Sequence, residues 1–545
     1  MENKFHQYLS KIENIADIKL IEVKDDDDSI KKYSFIYENE EFIVIFKKSF
    51  PGTLPEFKMV KPIKHPHVAQ WGTVCINRIE DIEFDVDDIG GAIKKAFNSF
   101  FSVMKINPDD YDYSLEFADY VKYYKAYKSD FQGYIFQDFD YLLPHISKIF
   151  KYDKNIYITD SEVIDRSYLN INKTKITFIK ALYIPLTSFF TIKEINSKLL
   201  ICEVLNFVKD EDKKIILKLI KLVKTKNLIV SIKNKSGFYS YFYIQLQETL
   251  TSPNDSTEIS SIFSVKNLNI EFLKARGCTK SHKQKILLVG LGSLGSEVLY
   301  HICKSGFDNI DICDFDKFEP VNIYRHFLGY NSSFVIYENE IQTLYKTTLL
   351  KDEMKGRYPS VNINAFNERI ERIINEDKIN LKDYDYIINA TGNMVSNRFL
   401  NNYVYKNEIK TKFLYTWIEP YGVAMHIFIN NSAKKGCLNC LLNTRNYVRL
   451  AKPGNYLIEN DNCIGSFTKF GSIDVSRLAI EVVRELLVGN FSNSRHKVIL
   501  GDTKEFLAEG HSLTSFSKLS EVELHKLGED IIYEGCRICG RIGSK

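Results

Sequence analysis

The sequence holds two constellations whose residue types and spacing could do chemistry. The first is Gly290-Leu-Gly292-Ser-Leu-Gly295, directly after the apolar run Lys285–Val289. At this spacing the first glycine permits a tight turn, the second lets backbone approach a phosphate, and the third lets helix and strand pack closely. A helix expected over Ser296–Cys303 would turn free N–H groups and the positive end of its dipole toward an anion. A strand expected over Asn309–Cys313 ends in Asp314, nineteen residues after Gly295, where a carboxylate can hold a ribose hydroxyl. Asn322, Arg325 and Lys346 follow. Arg offers phosphate oxygens a planar fork and Lys a point charge. The unit predicts a nucleotide site; a NAD-binding domain would share its glycines. The second constellation is Cys437-Leu-Asn-Cys440 with Cys536-Arg-Ile-Cys539, which begins ninety-six residues beyond Cys440. Two such knuckles make the closed four-sulfur set of structural zinc. Cys463 stands apart, with polar neighbours Asn460-Asp461-Asn462 and Gly465-Ser466, which argue against a core position. Cys202, Cys278, Cys303 and Cys313 are expected to be packing residues, the ordinary fate of a free cysteine.

The elements around these residues divide the chain into three parts: 1–130, 131–275 and 276–545. In the first, residues 4–15 predict an amphipathic helix with Phe5, Leu9, Ile12 and Ile15 on one face. Alternating runs at Ile18–Val23, Tyr33–Tyr37 and Phe42–Lys47 predict an antiparallel meander. The second part carries strand-like runs at Asn155–Thr159, Ile176–Leu186, Leu228–Ile232 and Gly237–Leu246, and a helix over Lys213–Lys226. It is expected to be a mixed α/β spacer with no catalytic spacing. The third part continues with a buried strand, Tyr384–Ala390, and a long helix from Val475. The expected fold class is therefore multidomain, α+β followed by α/β.

Composition excludes several classes. Lys plus Arg number 73 against 70 Asp plus Glu, a net charge of +3 that carries no nucleic-acid signature. No run of eighteen apolar residues predicts a membrane span. The first fifteen residues are charged and lack a signal peptide's apolar core, so a cytoplasmic, reducing location is expected.

The third part resembles the ThiF/MoeB/E1 superfamily of ATP-dependent adenylating enzymes. That pattern is a glycine loop, D-x-D and N-x-x-R-Q, standing here as Gly290–Gly295, Asp314-Phe-Asp316 and Asn322-Ile-Tyr-Arg325-His326. The resemblance implies a Rossmann-like adenylation domain in which Gly290, Gly292, Gly295, Asp314, Asp316, Asn322, Arg325 and Lys346 bind ATP. It also implies the paired zinc knuckle, a thioester cysteine at Cys463 and a homodimer. Where the superfamily has D-x-T-D-N, this chain has Asn389-Ala-Thr-Gly392-Asn393. Gly392 replaces the aspartate that helps hold Mg²⁺, leaving the metal to phosphates, water and another carboxylate such as Asp316.

Residues 1–130 resemble the ubiquitin-conjugating (E2) family. Its H-P-N triplet stands as His65-Pro66-His67, and Cys75 follows His67 by eight residues, the family's spacing. The stretch from Ala92 through Asn107-Pro-Asp-Asp110 is similar to the E2 tail. The resemblance implies that Cys75 carries a thioester and that His67 stands where the family's oxyanion donor does. A neutral imidazole can still donate one hydrogen bond there.

The order E2-like, spacer, E1-like resembles the bacterial E1–E2 fusion proteins of CBASS anti-phage operons. That family implies activation of a protein C-terminus, that of a cGAS-like nucleotidyltransferase or a ubiquitin-like protein, and its conjugation to an amine such as a target lysine. A sulfur-carrier activator and a non-catalytic scaffold remain as alternatives.

Overall fold

The computed structural model describes residues 2–22, 28–63, 65, 67–69, 71–76, 85–105, 121–128, 130–136, 143–152, 154–158, 177–188, 190, 198–233, 237–252, 256–332, 335–337, 340–444, 447–458 and 467–540. They form two compact units, Met1–Phe272 and Leu273–Lys545.

The first unit opens with a helix, Glu2–Leu9, shorter than the 4–15 expected. The chain turns from Ser10 onward and Asn14 sits at φ 71, a left-handed conformation that no helix continues through. Strands β1 (Ala16–Ile21), β2 (Ser29–Tyr37), β3 (Glu40–Lys47), β4 (Glu56–Met59) and β5 (Thr73–Val74) then form an antiparallel meander in chain order. Phe35, Phe42 and Phe57 project from one face and meet Phe97 and Phe100 of a helix at Ile89–Met104. Asp88 caps that helix by accepting from the Gly91 N–H. The expected N-P-D-D turn lies outside the described residues.

The spacer is a closed seven-stranded barrel rather than an alternating α/β layer. Its strands are β6 (Gln132–Ile135), β7 (His145–Tyr152), β8 (Asn155–Ile158), β9 (Thr177–Leu186), β10 (Asn227–Lys233), β11 (Tyr239–Leu246) and β12 (Ile259–Asn267), ordered β10-β11-β12-β6-β8-β7-β9. A parallel pairing of β9 with β10 closes it. Tyr183, Ile229, Tyr241 and Tyr243 pack together on one face of the strands. Their sequence neighbours Leu182, Leu228 and Phe242 pack on the other, with Ile201–Leu205 and Asp210–Val223, both helical. That is the two-residue period of a strand buried on both sides.

The second unit is a seven-stranded sheet, ordered β17-β14-β13-β18-β19-β20-β21. The strands are β13 (His282–Val289), β14 (Phe307–Cys313), β17 (Asn362–Phe366), β18 (Tyr386–Asn389), β19 (Lys412–Ile418), β20 (Ala424–Asn431) and β21 (Arg495–Leu500). A short hairpin, β15 (Val335–Tyr337) with β16 (Glu340–Gln342), stands apart from it. The first five in spatial order are parallel; β20 runs against them, and β21 runs against β20. Along β13, Ile286 and Leu288 pack on one face with helices Ser293–Lys304 and Ser472–Val488. Leu287 and Val289 pack on the other with helix Met394–Lys406 and the cysteine knuckles. The chain winds from β13 outward to β14 and β17, then returns to place β18 on β13's other side. The order reverses there, and such a switch point leaves a crevice at the strands' C-terminal ends.

Candidate functional site

The crevice is a cavity of about 580 Å³ walled by the ends of β13, β14, β17 and β18. Gly290, Gly292, Asp314, Asp316 and Lys346 line it, with Phe315, Glu368–Glu371, Thr391, Asn393 and Ser396. Each loop glycine has its own steric reason. Gly290 sits at φ +84, with Thr391 backbone 2.8 Å from where a Cβ would stand. At Gly295 a Cβ would lie 1.8 Å from the Gly290 carbonyl oxygen, so only glycine lets the helix start this close to the strand. At Gly292 a Cβ would meet nothing within 4 Å. The middle glycine is thus the one whose missing side chain leaves room for a ligand. Gly292 also precedes helix Ser293–Lys304 directly, so the helix's unpaired N–H groups begin at the loop.

Leu291, between the first two glycines, is clamped from both sides. Its N–H donates to Asp314 Oδ2 at 2.6 Å, and its carbonyl accepts from His326 Nε2 at 2.8 Å. The Leu328 N–H donates to His326 Nδ1 at 3.0 Å, which assigns the proton to Nε2. Burial pushes the His326 pKa down to about 4, so the ring is neutral at pH 7. Asp314 also accepts from the Asp316 N–H at 2.8 Å. Burial raises its pKa, opposed by those two N–H donors and by Lys346. One carboxylate therefore shapes the loop and lines the cavity, with spare lone pairs for a hydroxyl.

Lys346 is buried at the first turn of helix Lys346–Arg357, and its Nζ stands 3.0 Å from Asp316 Oδ2. Arg325 sits off the lining, donating from Nε and Nη2 to Asn322 Oδ1 at 3.3 and 3.0 Å. Gly392 occupies a left-handed turn at φ +64 in open space. Next to it Asn393 caps helix Met394–Lys406, accepting from the N–H groups of Val395 and Ser396. Across the cavity the Arg369 guanidinium lies 3.8 Å from the Phe315 ring centre.

The four knuckle cysteines are buried, and their sulfurs all lie within 4.8 Å of one another. Sulfurs 2.3 Å from a tetrahedral zinc stand roughly 3.8 Å apart. Here Cys437 and Cys536 are separated by 3.5 Å, Cys440 and Cys539 by 3.4 Å. The set therefore could hold zinc, and it ties the segment after β20 to the end of the described chain.

In the first unit Cys75 is exposed one residue past β5. Its N–H donates to the His67 carbonyl at 2.7 Å. The His67 N–H donates to Nδ1 of buried His65 at 3.2 Å, and the two rings stand 6.1 Å apart. Cys303 and Cys313 are buried, but Cys278 is exposed, because its φ of 52 places it in a surface turn after helix Ile270–Arg276. Cys463 lies outside the described residues. Sequence reasoning missed His326 as the loop's clamp and Glu368–Glu371 as cavity wall. The first stands in a motif slot next to Arg325; the second is visible only once β17 is known to neighbour β14.

The ThiF family matches residues 265–481. The chain is 28% identical over 123 residues to the adenylyltransferase and sulfurtransferase UBA4 of Lodderomyces elongisporus, covering 23% of this chain and 25% of that protein. It is 29% identical over 137 residues to a probable molybdopterin-synthase adenylyltransferase of Porphyra purpurea, covering 25% of this chain and 33% of that one. With the SUMO-activating enzyme subunit 2 of Dictyostelium discoideum it shares 29% over 117 residues, 22% of this chain and 16% of that protein. The chain thus spans a third or less of the length of these relatives. Among solved structures, E. coli MccB aligns with a TM-score of 0.32 and 15% identity, over 47% of this chain and 65% of that one. Residues 265–481 thus match the ThiF family, and the relatives they resemble include adenylyltransferases.

Proposed function

We propose that the chain activates a protein C-terminus with ATP and passes it, as a thioester, from Cys463 to Cys75 and on to an amine. The observation that carries this is one chain holding both a ThiF-type nucleotide crevice and an exposed cysteine fixed to a histidine-containing loop. A carboxylate oxygen attacks the α-phosphorus of ATP and pyrophosphate leaves. The Cys463 thiolate then attacks the acyl carbon and AMP leaves. Cys75 takes the acyl group by exchange of thiolates, and a deprotonated lysine amine displaces Cys75 to give an amide. Lys346 and Arg325 balance charge on the phosphates, and the open space at Gly292 admits them. Asp316 is the carboxylate for Mg²⁺ in place of the residue lost at Gly392, and zinc at the four cysteines is structural. His67 donates to the oxyanion formed at Cys75.

The resemblance to bacterial E1–E2 fusion proteins favours a cGAS-like nucleotidyltransferase or a ubiquitin-like protein as the activated partner. Among the described residues no helix is long and apolar enough to cross a membrane. A homodimer is supported by Ile473, Ile480 and Leu487, exposed apolar residues seven apart on helix Ser472–Val488.

The test is a thioester trap. Wild type, Cys463→Ala and Cys75→Ala are incubated with ATP, Mg²⁺ and candidate proteins encoded beside it, then run on non-reducing gels. The relay predicts a reducible adduct lost in Cys463→Ala and stalled on Cys463 in Cys75→Ala. ATP binding without any adduct would favour a scaffold, and a thiocarboxylate product would identify a sulfur-carrier activator.

A further inference from the structure

We infer that Phe467 and Phe470 are positioning residues: together with Asn322 they form a seat that holds the Arg325 guanidinium ready for the nucleotide's outer phosphates. This rests on the nucleotide reading above. The guanidinium carbon lies 5.3 Å from the Phe470 ring centre and 5.9 Å from that of Phe467, within the range of a cation–π contact. Asn322 Oδ1 takes Nε and Nη2. Arg has five N–H donors in one plane. Asn322 uses donors of one edge, and ring contacts use no N–H at all. Among the described residues the Nη1 edge and a second Nη2 hydrogen are left for a ligand, which matches a phosphate that needs a planar fork.

The rest of the fold explains why the seat is in register with the loop. His326, the next residue, bonds the Leu291 carbonyl inside the glycine loop. The arginine is therefore anchored one peptide away from a direct contact with the phosphate loop. The aromatic side is anchored separately. Phe467 exchanges two backbone hydrogen bonds with Ile458, and Phe470 packs against the core beneath helix Ser472–Val488. Between them the Lys469 carbonyl accepts from the Tyr421 N–H. An unrestrained arginine surrenders rotamer freedom when it grips a ligand; a seated one has given that up on folding. Lys at 325 would lack both the planar edge and the flat face.

The experiment measures binding of Mg–ATP and of AMP to the full chain, needing no protein partner. Arg325→Ala, Phe467→Leu and Phe470→Leu should each weaken ATP about fivefold or more while leaving AMP within about twofold, because AMP lacks the outer phosphates. Phe470→Tyr, which keeps the ring, should restore ATP affinity. Adding Phe470→Leu to Arg325→Ala should cost nothing further, since the seat acts only through the arginine. Additive losses, equal losses for AMP and ATP, or normal ATP affinity in both Phe→Leu variants beside a weakened Arg325→Ala would overturn the seat and leave the nucleotide reading standing. A wild-type chain that binds neither nucleotide would refute the nucleotide reading itself, and the seat with it.

Discussion

Gly292 and Gly295 differ by three positions and should fail in opposite ways. Alanine at 295 would press its Cβ to 1.8 Å from the Gly290 oxygen and 2.8 Å from its carbon. Both are backbone atoms, so the helix or the loop must move. Overpacking of that kind costs about 1–3 kcal/mol, and a backbone clash belongs at the upper end. For a unit of this size, about 3 kcal/mol lowers Tm by about 6–12 °C. Alanine at 292 meets nothing within 4 Å, and its φ of −69 suits an L-residue, so Tm should shift by less than about 2 °C. Its methyl instead occupies the approach of a phosphate, and losing charged hydrogen bonds there worth about 2.7 kcal/mol weakens ATP about a hundredfold. At ATP a hundred times the wild-type Kd, binding stabilises the native state by about 2.7 kcal/mol; a hundredfold weaker variant retains only about 0.4 kcal/mol. Thermal melts of wild type, Gly292→Ala and Gly295→Ala, with and without Mg–ATP, separate the two effects. A Gly292→Ala protein that melts as early as Gly295→Ala, or that still gains the full ATP-induced shift, would refute the reasoning.

Other perturbations have equally definite signs. His326 titrates near 6.5 unfolded and near about 4 folded, so the unfolded chain binds the extra proton between those values. Its contribution, about 3 kcal/mol, is present above pH 6.5 and lost as pH falls toward 4. Denaturant unfolding of wild type against His326→Gln should show the acid-side slope flattened in the variant, and parallel profiles would count against the clamp. Lys346→Met should change stability by less than about 1 kcal/mol, because its partner Asp316 is half-exposed. It should nonetheless weaken Mg–ATP about tenfold in a titration, since a charge-assisted phosphate contact is lost. The purified chain should carry one zinc by elemental analysis. Chelation or Cys536→Ser should lower the melting temperature of the second unit, and an unchanged melt would mean the four thiols hold no metal.

Local pattern made the strand, glycine loop and helix of the crevice legible, and long-range pairing made the spacer illegible. The strand expected at Lys285–Val289 is found at His282–Val289, and the helix expected from Ser296 begins at Ser293. The three-residue difference arises because the third glycine is itself helical, held under the Gly290 carbonyl. In the spacer, β8 to β11 are visible in sequence as apolar runs, but closure depends on the parallel pairs β9–β10, β6–β12 and β6–β8. Residues on both faces of β8 and β10 are buried, so no alternation there marks inside from outside. Asp314 shows the limit from the other direction. Its place after the second strand suits a carboxylate that meets a ribose hydroxyl. Nothing in that spacing says that the same carboxylate holds Leu291, or that His326 answers from the opposite side. On the proposed nucleotide reading the loop and the ligand share one carboxylate, so losing Asp314 removes two things at once. Asp314→Asn keeps one oxygen and converts the other acceptor to a donor that faces an N–H. The loop should loosen even without nucleotide, measurable as faster amide exchange at Leu291 and Asp316. A site that merely recognised ribose would show no such change.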